Sequence, residues 1–138
     1  FFFAFFAWFA FAPLMTVIGP QLNLTEEEAW IANIFSVVST IFTRFIIGPM
    51  CDTYGARRLQ AGLLIFGGVV VIVAAVAVRD ATSLIVMRFL IGAVGGALVP
   101  CQHWNSEMFV KELAGTAQAI SAGWGNLGGG VTQMVMPL

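Results

Sequence analysis

Long apolar runs, broken only by short charged loops, leave this chain few ways to fold. A membrane-crossing helix needs about 20 predominantly apolar residues. Such stretches can be laid down at roughly 1–22, 29–50, 60–78, 82–104 and 114–138, the last of them incomplete. Composition agrees: the chain is 59% hydrophobic and 9% charged, with a mean hydropathy of +0.94, against roughly 25% charged residues in an ordinary soluble domain. In hydrocarbon every backbone polar group must be satisfied internally, so an all-α membrane bundle is the expected class. The chain opens at Phe1 and closes at Leu138, both inside apolar sequence, which predicts a piece of a longer multi-pass protein. The start has no basic leader or small-residue cleavage site, so a signal peptide is not expected.

The charges predict an orientation. Glu26, Glu27 and Glu28 form an acidic loop, Arg57 and Arg58 a basic one, Arg79 and Asp80 a balanced one, and Lys111 stands in the last. The positive-inside rule puts the Arg57/Arg58 and Lys111 loops in the cytoplasm and the other two outside. Net charge is −1, so no nucleic-acid footprint exists and the lipid bilayer is the expected surroundings. Asn23-Leu24-Thr25 matches a glycosylation sequon, but its loop is short enough to hold Asn23 at the membrane surface. Cys51 and Cys101 fall near cytoplasmic helix ends and read as small apolar residues rather than a disulfide.

Polar residues inside the spans mark where function would sit. The run Ala122 to Gln133 holds Gly123, Gly125, Gly128, Gly129 and Gly130 together with Asn126 and Gln133. Lipid-facing sequence has no use for these; glycine admits a neighbouring backbone or a solute, and a buried amide left unpaired costs ~2–7 kcal/mol. In the second span Asn33, Ser36, Thr40, Arg44 and Gly48 follow at steps of three and four and share one face. The fourth span repeats the theme with Arg88, Gly92, Gly95, Gly96, Val99 and His103, while the third, from about Gln60 to Val78, has no charge and reads as lipid-facing. These stripes suggest a bundle around a polar path.

Arg44 lies seven residues before Cys51, ~10 Å inside the cytoplasmic end. It can snorkel to the headgroups or hold an anion. No Asp or Glu lies well inside any span to pair with it, and its planar guanidinium matches an oxyanion with two parallel hydrogen bonds. Arg88 is nearer the outer end, where a structural or snorkelling role fits. His103 and Trp104 read as interface residues. No nucleophile–base pair, acid pair, phosphate-cradling loop or metal-type spacing appears, so neither an enzyme, a metal site nor a cofactor is expected.

The junction Gly48-Pro-Met-Cys-Asp52-Thr-Tyr-Gly55-Ala-Arg57-Arg58 resembles the signature loop of the major facilitator superfamily: Gly, three residues, Asp, a base, any residue, Gly, any residue, two bases. Thr53 replaces the base. Arg88-Phe-Leu-Ile-Gly92-Ala-Val-Gly95-Gly96 resembles the superfamily's fourth-helix pattern, and the run from Ala122 to Gln133 resembles the fifth-helix signature of its nitrate/nitrite porters, as do Ala12-Pro13-Leu14, Phe42-Thr-Arg44 and Cys101-Gln-His-Trp104.

That resemblance implies a partial N-terminal half of a facilitator fold spanning 1–138, and a plasma-membrane carrier of nitrate or nitrite by alternating access, with protons as a candidate co-substrate. It implies that Arg44 and Asn126 bind the anion, that Phe9 or its neighbour Phe6 stacks near it, and that Asp52 helps latch the two halves. A second arginine belongs to the C-terminal half, outside this chain. Thr53 and Glu107 depart from the pattern. A facilitator for another anion or a neutral solute, and a non-transporting membrane sensor or scaffold, are the alternatives.

Overall fold

The computed structural model describes residues 1–21 and 25–136, so the sequon at Asn23 lies outside the described residues. Among the described residues seven α-helices follow in order: α1 (Phe2–Phe9), α2 (Phe11–Gln21), α3 (Glu26–Tyr54), α4 (Ala56–Ala77), α5 (Ala81–Gly92), α6 (Leu98–Met108) and α7 (Lys111–Val135). A 3₁₀ segment, Ala93–Ala97, joins α5 to α6. Glu26–Tyr54, Ala56–Ala77 and Ala81–Met108 are long and apolar enough to cross a membrane, and Phe2–Met15 is a shorter apolar stretch. This is an integral membrane protein.

Local chemistry sets the ends. Thr25 accepts the Glu28 backbone N–H on its hydroxyl at 3.3 Å, and the Glu28 carboxylate accepts the Thr25 N–H at 3.0 Å. This reciprocal cap starts α3 at Glu26, ahead of where hydropathy alone begins the span. Three glutamates in that first turn complement the helix dipole. The first span is interrupted at Ala10, whose N–H bonds Ala7 O at 3.3 Å. Pro13 brings no N–H to the ladder at that level. Gly55 alone separates α3 from α4, with φ +82° and ψ 141°, a conformation essentially reserved for glycine. A Cβ there would meet open space, which isolates the backbone cost. Gly55→Ala is therefore expected to destabilise the full-length protein by ~1–3 kcal/mol; an unchanged thermal midpoint in detergent would contradict this.

Two close helix contacts organise the bundle. At the first, α3 presents its small polar stripe to the glycines of α5 and the 3₁₀ segment. A Cβ on Gly92 would collide with the Ser36 carbonyl; one on Gly95 would stand 2.7 Å from Thr40 Oγ1, and one on Gly96 2.8 Å from Thr43 Cγ2. Thr40 Oγ1 donates to Gly92 O at 2.6 Å and also to Ser36 O of its own helix at 3.0 Å. At the second contact, α7 lies along α1. Cβ atoms on Gly125 and Gly128 would strike the Phe1 ring and the Phe2 carbonyl, and one on Gly129 would stand 3.0 Å from Phe9. Thr132 Oγ1 donates to Gly128 O at 2.7 Å and to Phe6 O at 3.3 Å. Small residues let backbones approach where hydrocarbon supplies no hydrophobic drive.

Gly67, Val70 and Ala74 turn α4 inward, with Gly67 against Val94. Its other face exposes Ile65, Ile72 and Val76, within the uncharged stretch that begins at Gln60; Arg57 and Arg58 stand in its first turn. Phe11, Val70, Ala74, Leu84 and Ile91 form the main apolar core.

Candidate functional site

The α3 stripe points into the bundle, as its spacing predicts, but most of it is used for packing. Ser36 accepts the Trp8 indole N–H at 3.1 Å, and Thr40 is taken up by Gly92. Asn33 and Arg44 remain at the two ends of the stripe. Arg44 is half-buried; its Nη2 donates to Gly95 O at a long 3.4 Å, and its Nε is buried without a hydrogen-bond partner. Ile41 and Phe45 beside it are exposed. This is a loosely held cation at the edge of the bundle.

Arg88 is the more deeply buried cation, at 4% exposure. Of the structural and snorkelling roles read from its sequence position, that depth fits the structural one. Its Nη2 donates to Asn33 Oδ1, and its Nε also lacks a partner. Trp8, Phe9, Ala12, Asn33, Ser36, Val37 and Arg88 line a partly open cavity of about 180 Å³. The ion pairs among the described residues involve His103, Asp52 and Glu107, not either arginine. Sequence reasoning missed the Arg88–Asn33 pair. The available signal was Arg88 standing one turn before Gly92, on the stripe that must meet α3.

Asn126 lies exposed on α7, between the exposed Trp124 and Leu127. The signature glycines divide by face. Gly125, Gly128 and Gly129 are buried against α1, whereas Gly123 and Gly130 are exposed with open space at their Cβ positions. No hydrogen bond among the described residues joins Arg44 to Asn126. One link between their helices runs through α1: Trp8 bonds Ser36 on α3, and Phe9 lies against Gly129 on α7. Phe9 thus stands between the glycine face and the Arg88 cavity.

At the opposite end, Gly48 has open space at its Cβ position. Arg57 and Arg58 are exposed at the start of α4. Asp52 stands 4.0 Å from His103 Nε2, which is 3.5 Å from Glu107. Glu107, unexplained by the motif, is therefore half of a small acidic frame around His103. Thr53 donates its hydroxyl to Pro49 O at 3.1 Å. Asn105 donates to Ser121 at 2.7 Å and Gln118 to Ser106 at 2.8 Å, tying α6 to α7. Cys51 and Cys101 are both free thiols.

A bundle of apolar helices in glycine-mediated contact, with arginines on inward stripes and a Gly–Asp–Gly–Arg–Arg turn, fits the facilitator resemblance. The family model of the Major Facilitator Superfamily matches residues 1–138, and the chain belongs to that superfamily. It is 40% identical over 134 residues to high affinity nitrate transporter 2.7 of Arabidopsis thaliana, covering 97% of this chain and 27% of that protein. It is 38% identical to nitrate transporter 2.2 of Chlamydomonas reinhardtii and 36% identical to the nitrate/nitrite transporter NrtP of Nostoc punctiforme, in each case over 100% of this chain and 27% of the relative. The chain thus spans about a quarter of the length of these relatives. No solved structure matches it.

Proposed function

We propose that this chain is the first-half bundle of a plasma-membrane transporter for nitrate or nitrite. The relatives' transport of these ions motivates the substrate. The observation that carries the reading to particular residues is Arg44: a guanidinium with an unpartnered buried Nε, one long bond to a carbonyl, and no carboxylate in contact. Such a group is a receptor for a planar monoanion, because its fork offers parallel donors. Asn126 serves as the second ligand on the open face of α7, and Phe9 as the aromatic wall. The exposed Ile41, Phe45, Trp124 and Leu127 around these two ligands are the surface that the second bundle covers.

Facilitators hold substrate near the midplane between two halves that rock around it. In this reading the chain crosses the membrane five times, with α1–α2 and α5–α6 each forming one span and the Arg57/Arg58 loop cytoplasmic. Asp52, beside His103 and Glu107, forms part of the latch that holds one state closed. Labelled-nitrate uptake by cells expressing the full-length protein tests the assignment. Saturable uptake, competed by nitrite and chlorate but not by sulfate, is expected; competition by sulfate or by neutral solutes alone would transfer the protein to another substrate. Uptake accelerated by an inward proton gradient would add protons as co-substrate.

A further inference from the structure

Arg88 is 4% exposed and Ser36 2% exposed, yet both face a cavity of about 180 Å³. By the same measure a single water needs only ~10–15 Å³, so a four-atom ion fits. The donors there outnumber the acceptors. Arg88 Nε has no partner. Asn33 uses Oδ1 to receive Arg88, leaving its amide N–H groups unused among the described residues. Ser36 Oγ receives Trp8, leaving its own O–H. A carboxylate would complete such a set, but among the described residues none is in contact with Arg88. One buried cation balances one negative charge, and a flat guanidinium edge suits a flat ion.

We propose that the Arg88–Asn33–Ser36 cavity is a second anion site, which takes a small monovalent oxyanion independently of Arg44. Asn33 and Arg44 are eleven residues apart on α3, about 16 Å along the axis, so the two sites are distinct. The Arg88 site lies toward the end of the bundle that carries Glu26–Glu28 and Asp80, the side on which the ion would arrive or depart.

The test uses the purified full-length protein in detergent, with sodium nitrate as the probe and sodium gluconate holding ionic strength constant. In an Arg44→Gln background nitrate should still raise the melting temperature. Adding Asn33→Asp places a carboxylate beside Arg88 with almost no change in shape. That variant should melt higher without nitrate and show no nitrate-dependent rise; Arg88→Gln should likewise lose the rise. Abolition of the rise by Arg44→Gln alone would overturn the proposal, as would a rise that survives both Asn33→Asp and Arg88→Gln. Failure of the Arg44 assignment looks different. Uptake would then be unaffected by Arg44→Gln while Asn33→Asp still removes the shift.

Discussion

Replacing Arg44 by lysine should raise the nitrate KM of the full-length protein by about 10–100-fold. Lysine keeps the charge but replaces a planar fork with a single ammonium, so one charge-assisted hydrogen bond to the anion is lost. Such a bond contributes ~1.5–3 kcal/mol, and each 1.4 kcal/mol is a factor of ten. The structure makes this a clean experiment. Arg44 contributes only one long bond to Gly95 O, so the fold has little to lose, and the melting temperature should barely move. An unchanged KM would remove Arg44 from the substrate site. A large fall in stability would instead make it a packing residue. Initial-rate uptake across a nitrate series, with melting measured on the same preparations, separates the three outcomes.

The second large effect is expected at Gly128. A methyl group there lands on the Phe2 carbonyl, and a backbone atom cannot step aside by changing rotamer. Gly128→Ala must push α7 off α1, an overpacking that costs ~1–3 kcal/mol. Gly92→Ala should behave alike at the Ser36 carbonyl. Gly123→Ala and Gly130→Ala are the contrast, because their Cβ positions face open space. Their melting temperatures should stay near that of the native protein, and any loss they cause should appear in uptake. A native melting temperature for Gly128→Ala would contradict a backbone contact between α1 and α7 at this position.

Much of this arrangement is legible in the sequence because spacing controls it. The steps from Asn33 to Arg44 place those residues on one helical face, and the glycine series beginning at Arg88 is its natural partner; the two stripes do meet. The charge-free third stretch, from about Gln60, lies in α4, whose face of Ile65, Ile72 and Val76 is exposed. Spacing does not say which neighbour a face meets or how closely. Arg44 reads as the deeper arginine when position along the helix is counted, yet Arg88 is the buried one, since depth in a bundle is set by lateral neighbours. The glycine run divides by spacing into a stripe of Gly123, Asn126, Gly130 and Gln133 with Gly125, Gly128, Gly129 and Thr132 beside it, but spacing does not say which of the two is covered. The position of α1 decides it, covering Gly125, Gly128 and Gly129 but not Gly123 and Gly130. The start of α3 could have been read from Thr25 and Glu28, whose spacing is that of a capping box; hydropathy, which ignores capping, begins the span later.

The two threonines that bridge helices share a property with a mechanical consequence. Thr40 bonds Gly92 O across the helix gap and Ser36 O on its own helix; Thr132 bonds Phe6 O across the gap and Gly128 O on its own. Each hydroxyl therefore has a fallback acceptor that travels with it. If α5 slips along α3, or α1 along α7, the bridging bond stretches but no proton is stranded in hydrocarbon, where an unpaired group would cost several kcal/mol. These seams are greased rather than riveted. At these two threonines small shifts carry no desolvation barrier, and the contacts that resist them are the steric ones at glycine and the Arg88–Asn33 bond across α3 and α5.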